Sequence, residues 1–175
     1  MWELAALAAE LGTSDRTLRR AIAKGLIHAE RPTPRTIALT PGERVYLRRN
    51  WDRLARLRSV LRTEPNVETA ILFGSVARGT DHPGSDIDLL VALRRDSPLA
   101  AAALAARLDE KIGASVQVTR LSAAQRSPAL LAEALRDGRL LVERGGNWQS
   151  LRRRERQITR AAEAVLVDAL AELTR

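Results

Sequence analysis

The chain has 175 residues, 45% hydrophobic and 29% charged, with 29 Lys and Arg against 21 Asp and Glu for a formal charge of +8. That composition belongs to a folded chain of one ordinary domain or two small ones, and the absence of cysteine excludes disulfide scaffolds, thiolate metal sites and cysteine nucleophiles. The two histidines, His28 and His82, lie too far apart for a histidine-rich metal site, and no apolar run approaches the roughly 20 residues of a membrane span.

The chain opens on MWELAALAAELG, acidic where a signal peptide is basic, so a cytoplasmic protein is expected. Leu4, Leu7, Ala8 and Leu11 follow the spacing of an amphipathic helix over 3–12, which Gly12 ends. Ser14 is placed to cap a second helix over 15–24, with Leu18, Ala21 and Ile22 on its apolar face and Arg16, Arg19, Arg20 and Lys24 mostly on the other. A short strand, a Pro-containing turn at 32–34 and a returning strand over 36–39 follow, which together make a winged helix-turn-helix. From Thr40-Pro41 a helix of about 20 residues runs on, with Val45, Leu47, Trp51, Leu54, Leu57 and Leu61 on its apolar side. It ends at Glu64-Pro65-Asn66, where the period changes.

Beyond that break, residues 69–75 read as a buried strand with a glycine turn and 86–93 as a second strand. A helix spans 97–113, a third strand 114–121, a helix 127–138 and a fourth strand 139–143. The expected fold is α+β, a small mixed sheet with helices on one side. Gly145-Gly146 reads as a hinge before one last amphipathic helix over 150–175. The division expected is 1–63, 64–146 and 147–175.

Charge follows this division. Residues 1–63 carry 13 basic and 6 acidic side chains, 64–146 carry 10 and 11, and 147–175 carry 6 and 4. The positive excess is thus N-terminal, and all but Lys24 and Lys111 of the basic residues are arginine, whose planar fork suits phosphates and base edges. The five aromatics, Trp2, Tyr46, Trp51, Phe73 and Trp148, are too scattered to build a stacking platform for single strands.

The stretch that carries chemistry is LFGSVARGTDHPGSDIDLLV, residues 72–91. Gly74-Ser75 follows a buried strand, where backbone N–H groups can cradle a phosphate, and Arg78 comes within one turn to reach the same group. Ten residues separate Ser75 from Asp86, and Asp88 follows at i+2, on the same face of a strand and about 6.6 Å further along. Two such carboxylates repel unless a cation lies between them, and with only oxygen ligands on offer that cation is Mg²⁺-like. Metal-assisted transfer from a nucleoside triphosphate is the chemistry this set points to.

Gly-Ser, ten residues, then Asp-x-Asp before an apolar strand resembles the minimal nucleotidyltransferases of the DNA polymerase β-like superfamily, over roughly residues 66–146. The resemblance implies catalytic, metal-binding Asp86 and Asp88 with one or two Mg²⁺ ions and ATP as substrate. It implies nucleotide contacts from Gly74 and Ser75, with Arg78 and Ser85 supporting the loop. In this superfamily a third carboxylate often stands on the next strand as metal ligand and general base. Here Gln117 occupies that place, and an amide cannot accept a proton at neutral pH. Either another group activates the acceptor, Asp81 being near in sequence, or the site binds nucleotide and transfers poorly.

The pattern ALAAELGTSDRTLRRAIAKGLI resembles the winged helices of MerR-type and excisionase-type DNA binders. By that resemblance helix 15–24 enters the major groove of an operator. Arg16, Thr17, Arg19, Arg20 and Lys24 lie along it, and Arg31 and Arg35 on the wing. A homodimer on a two-fold site is implied, with the last helix as its surface. Small nucleotidyltransferases of this kind resemble antitoxins that silence an all-α HEPN toxin by attaching AMP to one of its tyrosines. The function expected is such an antitoxin, repressing its own operon. The alternative is a transcriptional regulator whose non-catalytic transferase domain binds nucleotide or dimerises.

Overall fold

A computed structural model of the chain describes residues 2–33 and 36–173. Helix α1 (Trp2–Glu10) ends at Gly12, and α2 (Asp15–Ala23) starts where the Ser14 hydroxyl accepts the Thr17 N–H at 3.1 Å. Strands β1 (Glu30–Thr33) and β2 (Thr36–Ala38) pair antiparallel, with β1 running through Pro32. Helix α3 (Pro41–Arg62) is capped by Thr40, with Pro41 in its first turn. Leu47, Leu54, Leu57 and Leu61 along it are fully buried, and they join α1 and α2 to the sheet beneath in one apolar cluster. Truncating any one of these leucines to alanine costs about 2–5 kcal/mol.

Strand β3 (Val67–Phe73) leads into the short helix α4 (Gly74–Arg78). Then come β4 (Ile87–Leu93), α5 (Pro98–Ile112), β5 (Val116–Arg120), α6 (Leu121–Ala124), α7 (Pro128–Asp137) and β6 (Arg139–Glu143). The sheet order is β5-β4-β3-β6, antiparallel except for the β4–β5 pair, which the α5 crossover makes parallel. Helix α5 is well specified locally: Ser97 accepts the Ala100 N–H at 3.1 Å, Pro98 starts the helix, and Gly113 closes it in the left-handed region at φ 75°.

Helices cover both faces of the sheet, which corrects the expectation of helices on one side. Ala70, Leu72, Leu89 and Val91 belong to the cluster beneath α3 and α5. Ile71, Phe73 and Leu90 belong to a second cluster with Leu121, Leu131, Leu135, Trp148 and Ile158. The cause is visible in β3 and β4, whose apolar runs are nearly unbroken. A strand with no polar face must be covered twice.

The last helix is also corrected. It is two helices, α8 (Asn147–Arg153) and α9 (Glu155–Leu173), and the glycine pair before them is clasped. Glu143 accepts the N–H groups of Gly145, Gly146 and Trp148 at 3.0, 2.7 and 2.8 Å, so its carboxylate replaces the missing partners of the first turn. Burial of Trp148 and Leu151 fixes α8 against β6, whereas Val165, Leu166 and Val167 on α9 are exposed. No helix among the described residues is long and apolar enough to cross a membrane.

A buried arginine ties the N-terminal elements to the sheet. Arg139 at the start of β6 donates to both oxygens of Glu43 on α3, at 2.6 and 2.9 Å, and to the carbonyls of Leu26 and Ala77 at 3.3 and 2.8 Å. Its guanidinium lies 3.5 Å from the centre of the Tyr46 ring. Burial pushes the Tyr46 hydroxyl up to about 12, so it stays neutral in this cluster. The outer edge of β6 is engaged as well, since the Leu140 N–H donates to the Gly25 carbonyl at 3.0 Å.

Candidate active site

The site grows from one register. Phe73, the last residue of β3, lies opposite Asp88 on β4, and Asp88 lies beside Gln117 on β5. The antiparallel pair brings the Gly74 turn to the carboxylates, and the parallel pair brings the amide from the other side. Gly74 adopts φ 74°, and a Cβ there would run into Asp88 Oδ2. Only glycine lets this carboxylate approach the backbone so closely.

Asp86 Oδ2 accepts a hydrogen bond from Gln117 Nε2 at 2.6 Å. Asp88 is half-buried, and its carboxyl is held above the ordinary carboxylate range, first by burial, then by the charges of Asp86 and Glu133, with Arg78 pulling it back. Asp86 is thus near enough for its charge to act on Asp88. Among the described residues no group of three or more His, Cys, Asp and Glu side chains is placed to hold a metal. What Asp86 and Asp88 offer is a pair of carboxylates, all oxygen and mutually repelling, while Gln117 turns its amide N–H toward Asp86. That pair fits a hard cation such as Mg²⁺, which takes one or two protein carboxylates and completes its shell with water and phosphate oxygens.

The phosphate side is partly spoken for. The Ser75 hydroxyl has no hydrogen-bond partner among the described residues and stands in the first turn of α4. Arg78, at the end of that helix, donates to Glu133 Oε1 on α7 at 2.5 Å, with Asp137 Oδ2 at 3.7 Å. Sequence reasoning missed these two acids, although their i, i+4 spacing on a predicted helix marks a shared face. It also missed Arg139, whose bond to the Ala77 carbonyl anchors the last turn of α4, and Tyr46, whose ring leaves no room for a side chain at Gly79.

Ser85 closes the loop before β4. It accepts the His82 N–H through Oγ and donates its own N–H to the His82 carbonyl, both at 3.0 Å. Asp81, considered from sequence as an activator of the acceptor, is bound to Arg53 on α3 at 2.8 Å with its side chain 9% exposed. It lines a recess with Arg53, His82, Ser85 and Ile112 that neither Asp86 nor Asp88 lines.

On the N-terminal side, Arg16 and Arg20 on α2 and Lys24 at its C-terminal cap are exposed, while Arg19 pairs with Asp15 at 2.6 Å and Thr17 meets the Ser14 hydroxyl at 2.9 Å. Arg31 lies in β1, and Arg35 lies outside the described residues.

Several solved structures share this architecture. A chain of a toxin–antitoxin crystallised with AMP-PNP superposes with a TM-score of 0.58 at 22% identity, over 70% of this chain and 98% of its own length. A chain from the toxin–antitoxin MntA-HepT gives 0.54 at 18%, over 71% and 99%. One from a tri-AMPylated Shewanella oneidensis HEPN toxin in complex with MNT antitoxin gives 0.55 at 18%, over 72% and 99%. At such identities the likeness is one of fold. No curated protein matches the chain in sequence. The model of the polymerase beta nucleotidyltransferase family, however, matches residues 55–146, more than half of the chain and the whole of the Gly74–Asp88 constellation, and the chain belongs to that family.

Proposed function

We propose that this protein is an antitoxin-like nucleotidyltransferase that moves AMP from ATP to a hydroxyl of a partner protein, the partner being a HEPN-type toxin. The observation that carries the reading is the Asp86–Asp88 pair beside the Gly74 turn, where Asp88 approaches the backbone so closely that any Cβ at Gly74 would meet its carboxylate. The solved relatives include complexes with AMP-PNP and with an AMPylated HEPN toxin, which supports the choice of donor and acceptor.

In this reading Asp86 and Asp88 hold Mg²⁺, with the Gln117 carbonyl oxygen available once its amide turns from Asp86. When bound, the ion would offset the triphosphate's charge and polarise the reacting phosphorus. The Ser75 hydroxyl and the amides of the first turn of α4 receive phosphate oxygens. Arg78 exchanges Glu133 for a phosphate, a change of partner between two exposed groups. The acceptor hydroxyl forms the new bond to the α-phosphorus as the bond to pyrophosphate breaks, and its proton passes to solvent, since Gln117 cannot take it.

The same Gln117 favours a second reading. An amide donating to Asp86 stands where a third carboxylate would, so a nucleotide-binding regulator without transfer is the alternative. Incubating the chain with α-labelled ATP, Mg²⁺ and a co-expressed HEPN-type partner separates the two. Label on the partner that disappears with Asp86→Asn supports transfer; silencing that survives loss of both acids supports the regulator. Gln117→Asp, which restores the third acid, is expected to tighten metal-dependent nucleotide binding in either case.

DNA binding belongs to this proposal too. Residues 1–63 form a winged helix-turn-helix in which Arg16, Arg20 and Lys24 face an operator and β1–β2 forms the wing; 64–146 carry the transferase. In 147–175, the exposed Val165, Leu166 and Val167 of α9 offer a surface for a second copy, as a two-fold operator requires. A gel-shift series on the upstream DNA, with Arg16→Ala and Arg20→Ala, tests it.

A further inference from the structure

A cavity of about 690 Å³ lies between the end of α2, the outer face of α3, the outer edge of β6 and α8. In the sheet it is two strands away from β4, which carries Asp88 and begins just after Asp86. Lys24, Arg58 and Arg62 line it, and none of the three has a carboxylate partner among the described residues. Arg58 Nε is buried without any hydrogen-bond partner. A guanidinium in that condition calls for an explanation, because buried donors are almost always satisfied. Arg58 and Arg62 are also i, i+4 neighbours on α3, a like-charge pair that destabilises a helix when nothing lies between. Burial and the Arg62 charge together pull Arg58 below the ordinary arginine range.

The carboxylate lining the cavity does not answer these charges. Glu143 is consumed by the N–H groups of Gly145, Gly146 and Trp148 and by the Thr69 hydroxyl. Two further cations line it: Arg144, bound to the carbonyls of Arg62, Glu64 and Val67, and Arg152, its guanidinium 4.5 Å from the centre of the Trp148 ring and paired with Glu155 at 3.1 Å. Lys24, Arg58 and Arg62 thus leave the cavity with positive charge that no carboxylate answers, and its volume exceeds what a single phosphate fills.

We propose that this cavity is a binding site for a phosphate-bearing chain, a phosphodiester or polyphosphate segment, separate from the Asp86–Asp88 site. Arg58 and Arg62 grip successive phosphates with their forks, and Lys24 closes the α2 side as a point charge. The same chemistry could be supplied by a nucleic-acid backbone running past α2 or by a free polyphosphate. The site does not depend on the transferase reading.

The experiment uses the full chain carrying Asp86→Asn and Asp88→Asn, in EDTA at low salt, so that the first site is silent. Sodium triphosphate is titrated by calorimetry, and a short labelled DNA duplex by fluorescence anisotropy. At least one probe is expected to bind, and Arg58→Gln with Arg62→Gln is expected to weaken it by about tenfold or more. Arg62→Gln alone, at an exposed position, gives a smaller loss in the same direction. For the duplex, the slope of log affinity against log salt falls by about 0.9 for each phosphate contact removed. Triphosphate alone binding identifies a free polyphosphate; duplex binding identifies a backbone. Failure of both probes, affinities unmoved by either variant, or equal binding of polyglutamate overturns the assignment.

Discussion

Arg139 and Arg78 each meet a carboxylate at hydrogen-bond distance, yet the two pairs live in different surroundings. The Arg139–Glu43 pair is 3% and 6% exposed, bidentate, and locked by two carbonyls and the Tyr46 ring. The Arg78–Glu133 pair is 38% and 34% exposed and rests on one close contact. Charges taken out of water are held by everything around them, whereas charges at a surface are screened and cheap to separate. The first pair fixes how α3, α4 and β6 meet. The second leaves an arginine beside the acid pair that a phosphate can claim.

The sharpest way to break this contrast is Arg139→Met. It strands a buried Glu43 carboxylate and is expected to cost about 3–5 kcal/mol in urea unfolding, with much of the loss returned by adding Glu43→Leu. Gly74→Ala comes next. Its Cβ meets the Asp88 carboxylate at a positive φ, so a loss of about 1–3 kcal/mol is expected, together with loss of nucleotide binding.

Asp88→Asn separates stability from binding. Because the native Asp88 carboxyl sits above the ordinary carboxylate range, the folded state holds its proton more tightly than the unfolded chain does. Its contribution to stability is therefore full below that range and is lost as pH rises through the folded value. The variant removes this loss, so its Tm relative to the parent rises from acid toward neutral pH, while metal-dependent ATP binding disappears. A relative Tm that stays flat with pH would show that the Asp88 carboxyl is not held above the ordinary range. The smallest structural effect belongs to Arg78→Gln, within about 1 kcal/mol in unfolding, with a clear weakening of ATP binding. An unfolding loss as large as that of Arg139→Met would erase the contrast.

The legible parts of the molecule are those where local chemistry and tertiary structure agree. Ser14 caps a helix where its position suggested, and the Gly74–Asp88 spacing brings Asp88 against the turn. The register that sets Gln117 beside Asp88 follows from the β4–α5–β5 crossover, which the strand–helix–strand order already implied. What stayed hidden depends on contacts between distant residues. Arg139 and Glu43 are 96 positions apart, and neither is marked by any local pattern. The second helical layer was readable in principle from the unbroken apolar runs of β3 and β4. The division of the last helix was not, because it rests on how Trp148 and Leu151 seat against the sheet.

The central claim is that Asp86 and Asp88 form a working metal–nucleotide site despite Gln117. Calorimetric titration of the purified chain with ATP, with and without Mg²⁺ and beside the Asp86→Asn, Asp88→Asn double variant, tests it most directly. The account predicts binding that requires both the metal and the two carboxylates. Absence of binding at millimolar ATP, or binding that the folded double variant retains in full, would contradict it.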